Sequence, residues 1–162
     1  MSQPGMPPDT VAAVQAALGA EHAALWVYGL VSAFLPAAYD KGLREGTAVH
    51  RNRRDVTARQ LSAAGIEPEP AKAAYVPPDP VDGEAAAVKL VATAETDATV
   101  AWRAVLDRCD DAGLRASALE ALTESSVRAT RWRKAAGINP RCRRSRVSPE
   151  RRSACRSGSR RR

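Results

Sequence analysis

Five of the chain's eleven prolines, at positions 68, 70, 77, 78 and 80, fall between Ile66 and Val81. A proline inside a helix removes a backbone hydrogen bond and clashes with the preceding turn, so this stretch cannot be helical. It is also too long for a tight hairpin, and it reads as an extended crossover dividing the chain in two. Each half holds two long segments rich in Ala, Leu, Glu and Arg, and nothing reads as a strand. Two short connections and one long one are what an antiparallel four-helix bundle with a single crossover between helices 2 and 3 requires. The expected fold class is all-α.

The first segment runs from about Asp9, a candidate N-cap, to Leu35, where Pro36 stops it. Val11, Val14, Leu18, Glu21, Leu25, Tyr28 and Ser32 recur on it at helical spacing. The second runs from about Ala37 to Ala64 and ends at Gly65, with Tyr39, Leu43, Thr47, His50, Arg54, Thr57 and Leu61 on one face. The third opens near Asp82 and carries Val88, Val91, Glu95, Ala98, Trp102 and Val105 inward. The fourth runs from about Leu114 to Ala136, with Leu119, Leu122, Ser126, Ala129 and Arg133 on its flattest face. The domain is therefore expected over residues 9–136, between a disordered N-terminus (1–8) and a disordered Arg-rich tail (137–162). Trp102 reads as core, and Trp132 as packing at the bundle end.

A lone carboxylate interrupts the apolar stripe of the first and of the third segment, whereas the face of the second carries frequent polar groups. Glu21, His50 and Glu95 fall near mid-helix on three different helices, where antiparallel neighbours bring them together. A bundle core with inward carboxylates and imidazole can hold hard cations such as iron or manganese. A two-metal site wants Glu-x-x-His on two helices. Here Thr47 stands three residues before His50, and Val127 three residues after Glu124, so Glu21, His50, Glu95 and Glu124 give at most four ligands where six are usual. The favoured reading is a buried polar network of Glu21, Tyr28, His50, Arg54 and Glu95 with no cofactor, because a buried charge needs a partner. Iron or manganese is the alternative. No Gly-rich phosphate loop, Ser-His-Asp arrangement or CxxC pair is present.

The net charge of +7 is a property of one segment. From Gly137 onward there are ten arginines and one acid, whereas the preceding residues hold fifteen basic against seventeen acidic groups. Three readings of this segment stand side by side: a nucleic-acid arm built on Arg141, Arg143, Arg144, Arg146, Arg151 and Arg152, an arm for acidic partners, or a terminus read out of frame. The last is preferred, since nothing else in the chain is basic. No run approaches the ~18–20 apolar residues of a membrane span, so no membrane association is expected. Three scattered cysteines form no disulfide framework. The opening MSQPGMPPDT lacks the charged and apolar regions of a secretory signal, so the expected location is cytoplasmic.

Several motifs, taken in order, resemble those of the actinobacterial ferritin-like domain proteins of unknown function. They are VAAVQAALGAEHAALWVYGLVSAFL with Glu21-His22 and Tyr28-Gly29, then HRNRRDVTARQL, Ala74-Tyr75 in the proline-rich link, Ala94-Glu95, Ala101-Trp102-Arg103 and Arg131-Trp132-Arg133. The resemblance spans about Thr10 to Pro140. It implies a ferritin-like bundle that pairs as a homodimer, and Ala-rich helix faces suit such pairing. It implies no characterised reaction. The expected function is a non-catalytic bundle acting through contacts with a protein partner, carrying a degenerate metal site. A metal-binding oxidoreductase-like protein and nucleic-acid binding through the basic tail are the alternatives.

Overall fold

The computed structural model describes residues 6–138. The tail from residue 139, with every arginine of the nucleic-acid reading, lies outside the described residues. Four helices follow in order: α1 (Pro8–Val31), α2 (Asp40–Ala63), α3 (Glu84–Arg108) and α4 (Ala112–Ala135). A single 3-10 turn, Ala37–Tyr39, leads into α2, and there is no strand among the described residues. The architecture is the expected all-α four-helix bundle.

The ends of the helices follow from local chemistry. α1 starts one residue before Asp9, at Pro8, whose fixed φ suits a first helical position, and Asp9 sits in the first turn. It stops at Val31, short of Leu35, because a residue preceding proline is driven out of the helical region; the amides of Ala33 and Phe34 instead close short turns onto Leu30 and Val31. α3 opens after Gly83 rather than at Asp82. Asp111 caps α4 by accepting the Leu114 amide at 2.7 Å. Both α2 and α4 end in the same motif. Gly65 and Gly137 take φ of +74° and +69°, and the amides of Ile66 and Ile138 reach back to the carbonyls of Leu61 and Arg133.

α1 packs against both α2 and α3, and α3 against α4, whereas the backbones of α2 and α4 stand apart. The crossover is held along the body by Gln15 of α1, which donates to the Glu67 carbonyl at 2.7 Å and accepts the Glu69 amide at 3.0 Å. Tyr75 rests on Trp26 with ring centroids 5.8 Å apart.

Three stripes differ from the sequence reading. On α1 Ser32 is exposed and Val11 and Leu25 are half-buried, while Ala17, Ala24 and Val31 turn inward beside Val14, Leu18, Glu21 and Tyr28. On α2 the buried set is Leu43, Gly46, His50, Arg53, Thr57 and Leu61, so Arg53 replaces Arg54 and Gly46 replaces Thr47. On α4 it is Leu114, Ala118, Ala121, Ser125, Ala129 and Trp132, a rotation that leaves Leu119 exposed. Sequence favoured the bulkier apolar face of α4. The structure buries the face of small residues, which lets α3 approach closely. The apolar core forms two clusters, one around Leu18, Leu61 and Trp102, the other around Val31, Val91 and Trp132. Between them lies a layer of buried polar side chains.

Tyr28 reaches that layer only because Gly46 has no side chain: a Cβ there would lie 2.3 Å from the Tyr28 ring. Overpacking of this kind costs about 1–3 kcal/mol. Gly46→Ala should therefore lower the thermal midpoint by several degrees in a circular-dichroism melt. Gly29→Ala, with nothing within 4 Å, should be neutral or stabilising.

Candidate functional site

The polar layer is built by residues one or two helical turns apart on facing helices. Glu21 comes from α1, His50 and Arg53 from α2, Glu95 from α3, and Glu124, Ser125 and Arg128 from α4. His50 Nδ1 contacts Glu21 Oε2 at 2.6 Å, and His50 Nε2 contacts Glu95 Oε1 at 3.1 Å. Arg128 Nε donates to the same Glu95 oxygen at 2.8 Å, and its Nη1 lies 3.8 Å from Glu124 Oε2. Arg53 donates to that Glu124 oxygen, and its Nη1 lies 3.8 Å from Glu21 Oε1. The contacts close on themselves. Glu21, His50, Glu95, Arg128, Glu124 and Arg53 form a ring in which acid and base alternate, joining all four helices.

Neutral hydrogen-bond donors finish the layer. Trp102 Nε1 donates to Glu21 Oε1 at 2.6 Å, and Tyr28 donates to Glu95 Oε1 at 2.6 Å. Trp132 Nε1 donates in turn to the Tyr28 hydroxyl at 3.1 Å. Ser125 accepts from Arg53 at 2.8 Å and from Arg128 at 3.3 Å, steadying both guanidinium groups. Glu95 Oε2 is buried and has no hydrogen-bond partner.

The protonation states follow from this geometry. Ionised carboxylates only accept, so an imidazole with one on each nitrogen carries both protons. Burial disfavours that cation, but the hydrogen bonds and charges of Glu21 and Glu95 outweigh it and raise the His50 pKa above its ordinary 6.5. Burial likewise opposes ionisation of Glu95, yet His50, Arg128 and the Tyr28 hydroxyl hold its pKa below 4.5. Burial, with the Glu95 charge beside it, pushes the Tyr28 phenol far up, so it stays a neutral donor. With His50 protonated, three anions face three cations and the ring is neutral.

Glu21, Tyr28, His50 and Glu95 thus meet in one layer. Arg54 does not join them. It is a third exposed and pairs with Asp55 at 2.7 Å, because it follows Arg53 by about 100° around α2. Arg53 and Arg128 supply the neutralising charge instead. Arg53 was masked in the run Arg51, Arg53, Arg54, where the face of α2 had to be known first. Its spacing of three from His50 was the available signal, as was the spacing of four between Glu124 and Arg128. Trp132 packs at the bundle end as expected, in the last turn of α4 and stacked on Tyr39, and from there its buried ring reaches the network through Tyr28. Glu124 is the ring's outermost acid, with its side chain 45% exposed.

A family described as a domain of unknown function (DUF4439) matches residues 13–142. The chain belongs to the DUF4439 family. Among solved structures, a conserved hypothetical protein from Mycobacterium tuberculosis is 39% identical with a TM-score of 0.77, covering 78% of this chain and 96% of its own. A structure described as ferritin-like, diiron-carboxylate proteins from Bacillus anthracis aligns with a TM-score of 0.70 at 10% identity, covering 83% of this chain and 100% of its own. The bundle of this DUF4439 chain is therefore ferritin-like. Comparison with curated proteins gives no match.

A pair of iron ions does not fit the layer as it stands. Every carboxylate of the ring is already paired with a cation of the chain, and both nitrogens of His50 are engaged. Among the described residues no group of three His, Cys, Asp or Glu side chains is arranged to hold a metal ion. The Glu95 Oε2 atom is a single uncommitted oxygen, which is too little for a coordination shell.

The ring gives stability a defined pH window. The contribution of His50, whose pKa is raised on folding, is complete below 6.5 and is lost as pH climbs through the folded value. That of Glu95, whose pKa is lowered, is complete above 4.5 and is lost as pH falls through the folded value. Thermal stability measured across pH should peak in the mildly acidic range between these values and decline on the alkaline side. His50→Gln should flatten that alkaline decline. Arg128→Ala should cost about 3–5 kcal/mol in denaturant unfolding, since it leaves the buried Glu95 short of a partner.

Proposed function

We propose that this DUF4439 protein is a non-catalytic, ferritin-like bundle that acts through protein contacts, first of all with a second copy of itself. The observation that carries the reading is the closed ring: three cations of the chain balance the three carboxylates, so the layer needs no metal for charge neutrality. No side chain in it is left poised for proton transfer, since Tyr28 is held neutral and His50 is clamped on both sides.

The side of the bundle suited to contact is the one between α2 and α4. It forms a long groove with two hollows, of about 440 Å³ and 410 Å³, on either side of the Arg53–Glu124–Arg128 bridge. Outside the ring, Glu120 lines one hollow, and Arg131 lines the other together with Glu45, which pairs with Lys41. A copy related by a two-fold axis through the bridge would set Glu120 against the partner copy's arginine at both ends, which is the self-complementarity a symmetric dimer uses.

Two measurements test the reading. Protein lacking residues 139–162, loaded with iron, manganese and zinc and then desalted, should retain well under one metal per chain by mass spectrometry. Near-stoichiometric metal that disappears in a Glu21→Ala, Glu95→Ala variant would replace this reading with a metal-dependent redox one. Light scattering should give a dimer that Glu120→Arg weakens and that Glu120→Arg with Arg131→Glu restores. A monomer at all concentrations would remove the self-contact.

A further inference from the structure

We infer that the guanidinium groups of Arg53 and Arg128 stand in for two divalent cations, and that withdrawing them turns the polar layer into a metal site. The inference rests on the metal-free reading of the ring and adds to it a specific reason for the absence of metal: the cation positions are filled by the chain.

Each guanidinium touches two carboxylates from different helices. Arg53 lies between Glu21 of α1 and Glu124 of α4, and Arg128 lies between Glu95 of α3 and the same Glu124 oxygen. Glu124 therefore bridges two cations while Glu21 and Glu95 each serve one. His50 links the two buried carboxylates, Glu21 and Glu95, to each other and does not contact Glu124. Three carboxylates and an imidazole around two positive centres with one bridging carboxylate would suit a pair of small hard cations. The uncommitted Glu95 Oε2 belongs to the carboxylate that Arg128 neutralises, and it is an oxygen a metal could take up at no cost in broken hydrogen bonds.

Both arginines also form the wall between the layer and the α2–α4 groove. Arg53 lines one hollow and Arg128 the other, with side-chain exposures of 10% and 14%. A cation entering from solvent meets Glu124 with its oxygen already taken by both arginines, and behind it two fixed positive charges, so the same side chains that fill the positions also oppose entry.

Removing their charge leaves three carboxylates facing one imidazolium, a net deficit that the layer can relieve by taking up divalent cations, with His50 then giving up a proton to become a ligand. The test uses the full chain, the double variant Arg53→Gln, Arg128→Gln, and the single variant Arg128→Gln, with Mn(II) or Co(II) as the only additive. The unaltered protein should show no metal-dependent change in thermal midpoint. The double variant should melt lower without metal and regain roughly 5 °C or more with millimolar Mn(II), retaining the metal through desalting. Co(II) should give the visible absorption of protein-bound cobalt in the variant alone. The single variant should bind more weakly and nearer to one equivalent. If the double variant does not fold by itself, refolding with and without Mn(II) decides, and rescue by the metal is the expected result.

A variant that folds but neither gains stability nor retains metal overturns the inference and leaves the metal-free reading intact. So does a failure of Mn(II) to rescue an unfolded variant. Metal bound equally by the unaltered protein would overturn both.

Discussion

The bundle is arranged around an alternation of three acids and three bases that is buried at Glu21, His50 and Glu95 and opens to solvent at Glu124. A charged group in an apolar core costs several kcal/mol unless it is paired, so the five charges shielded from solvent survive because each has two neighbours of opposite sign. That requirement sets the register of all four helices. Turning α4 by one residue would take Ser125 and Arg128 out of the layer; turning α2 would replace Arg53 by Arg54 and carry His50 away from both carboxylates. The apolar clusters above and below supply the driving force for collapse, and the polar layer between them specifies which collapsed arrangement is formed.

The ring also accounts for the open side of the molecule. α1 with α3, and α3 with α4, pack through many Ala and Val side chains, which permit close backbone approach. α2 and α4 face each other through long side chains that meet at mid-height, and the hollows on either side are the space those side chains leave. Neutral donors on large rings, Trp102, Tyr28 and Trp132, bring hydrogen bonds to the carboxylates without adding charge, while their ring bodies continue the apolar clusters. Gly46 completes the fit by admitting Tyr28.

Much of the fold was legible in the sequence because its signals are strong and local. The prolines from Pro68 to Pro80 divide the chain, Gly65 and Gly137 close two helices, and every residue read onto the α3 stripe, from Val88 to Val105, is buried, although Leu90, Ala92 and Ala94 are buried beside them unread. Glu21 and Glu95 stood out because each interrupts an apolar stripe, and His50 because it falls at mid-helix level with them. The arginines did not, since in helices already rich in Arg a buried one looks like its solvated neighbours. Only the facing helix distinguishes Arg53 from Arg54. The rotation of α4 was hidden for the converse reason: Ala118, Ala121 and Ser125 form a weak hydrophobic face beside the bulkier Leu119 and Leu122, and it is close approach to α3 that favours the small one. Ferritin-like architecture was carried by the order of several motifs rather than by any one of them, and the likeness extends to the fold without the Glu-x-x-His pairs that Thr47 and Val127 leave incomplete.

The protonation state of His50 tests the central claim most directly. Nitrogen-15 NMR of the histidine side chains, at neutral pH on protein stripped of metal, reports whether each ring nitrogen carries a proton. The ring of alternating charge predicts that both nitrogens of His50 are protonated, and that adding divalent metal leaves them so. One bare nitrogen under these conditions, or a proton lost when metal is added, would contradict it.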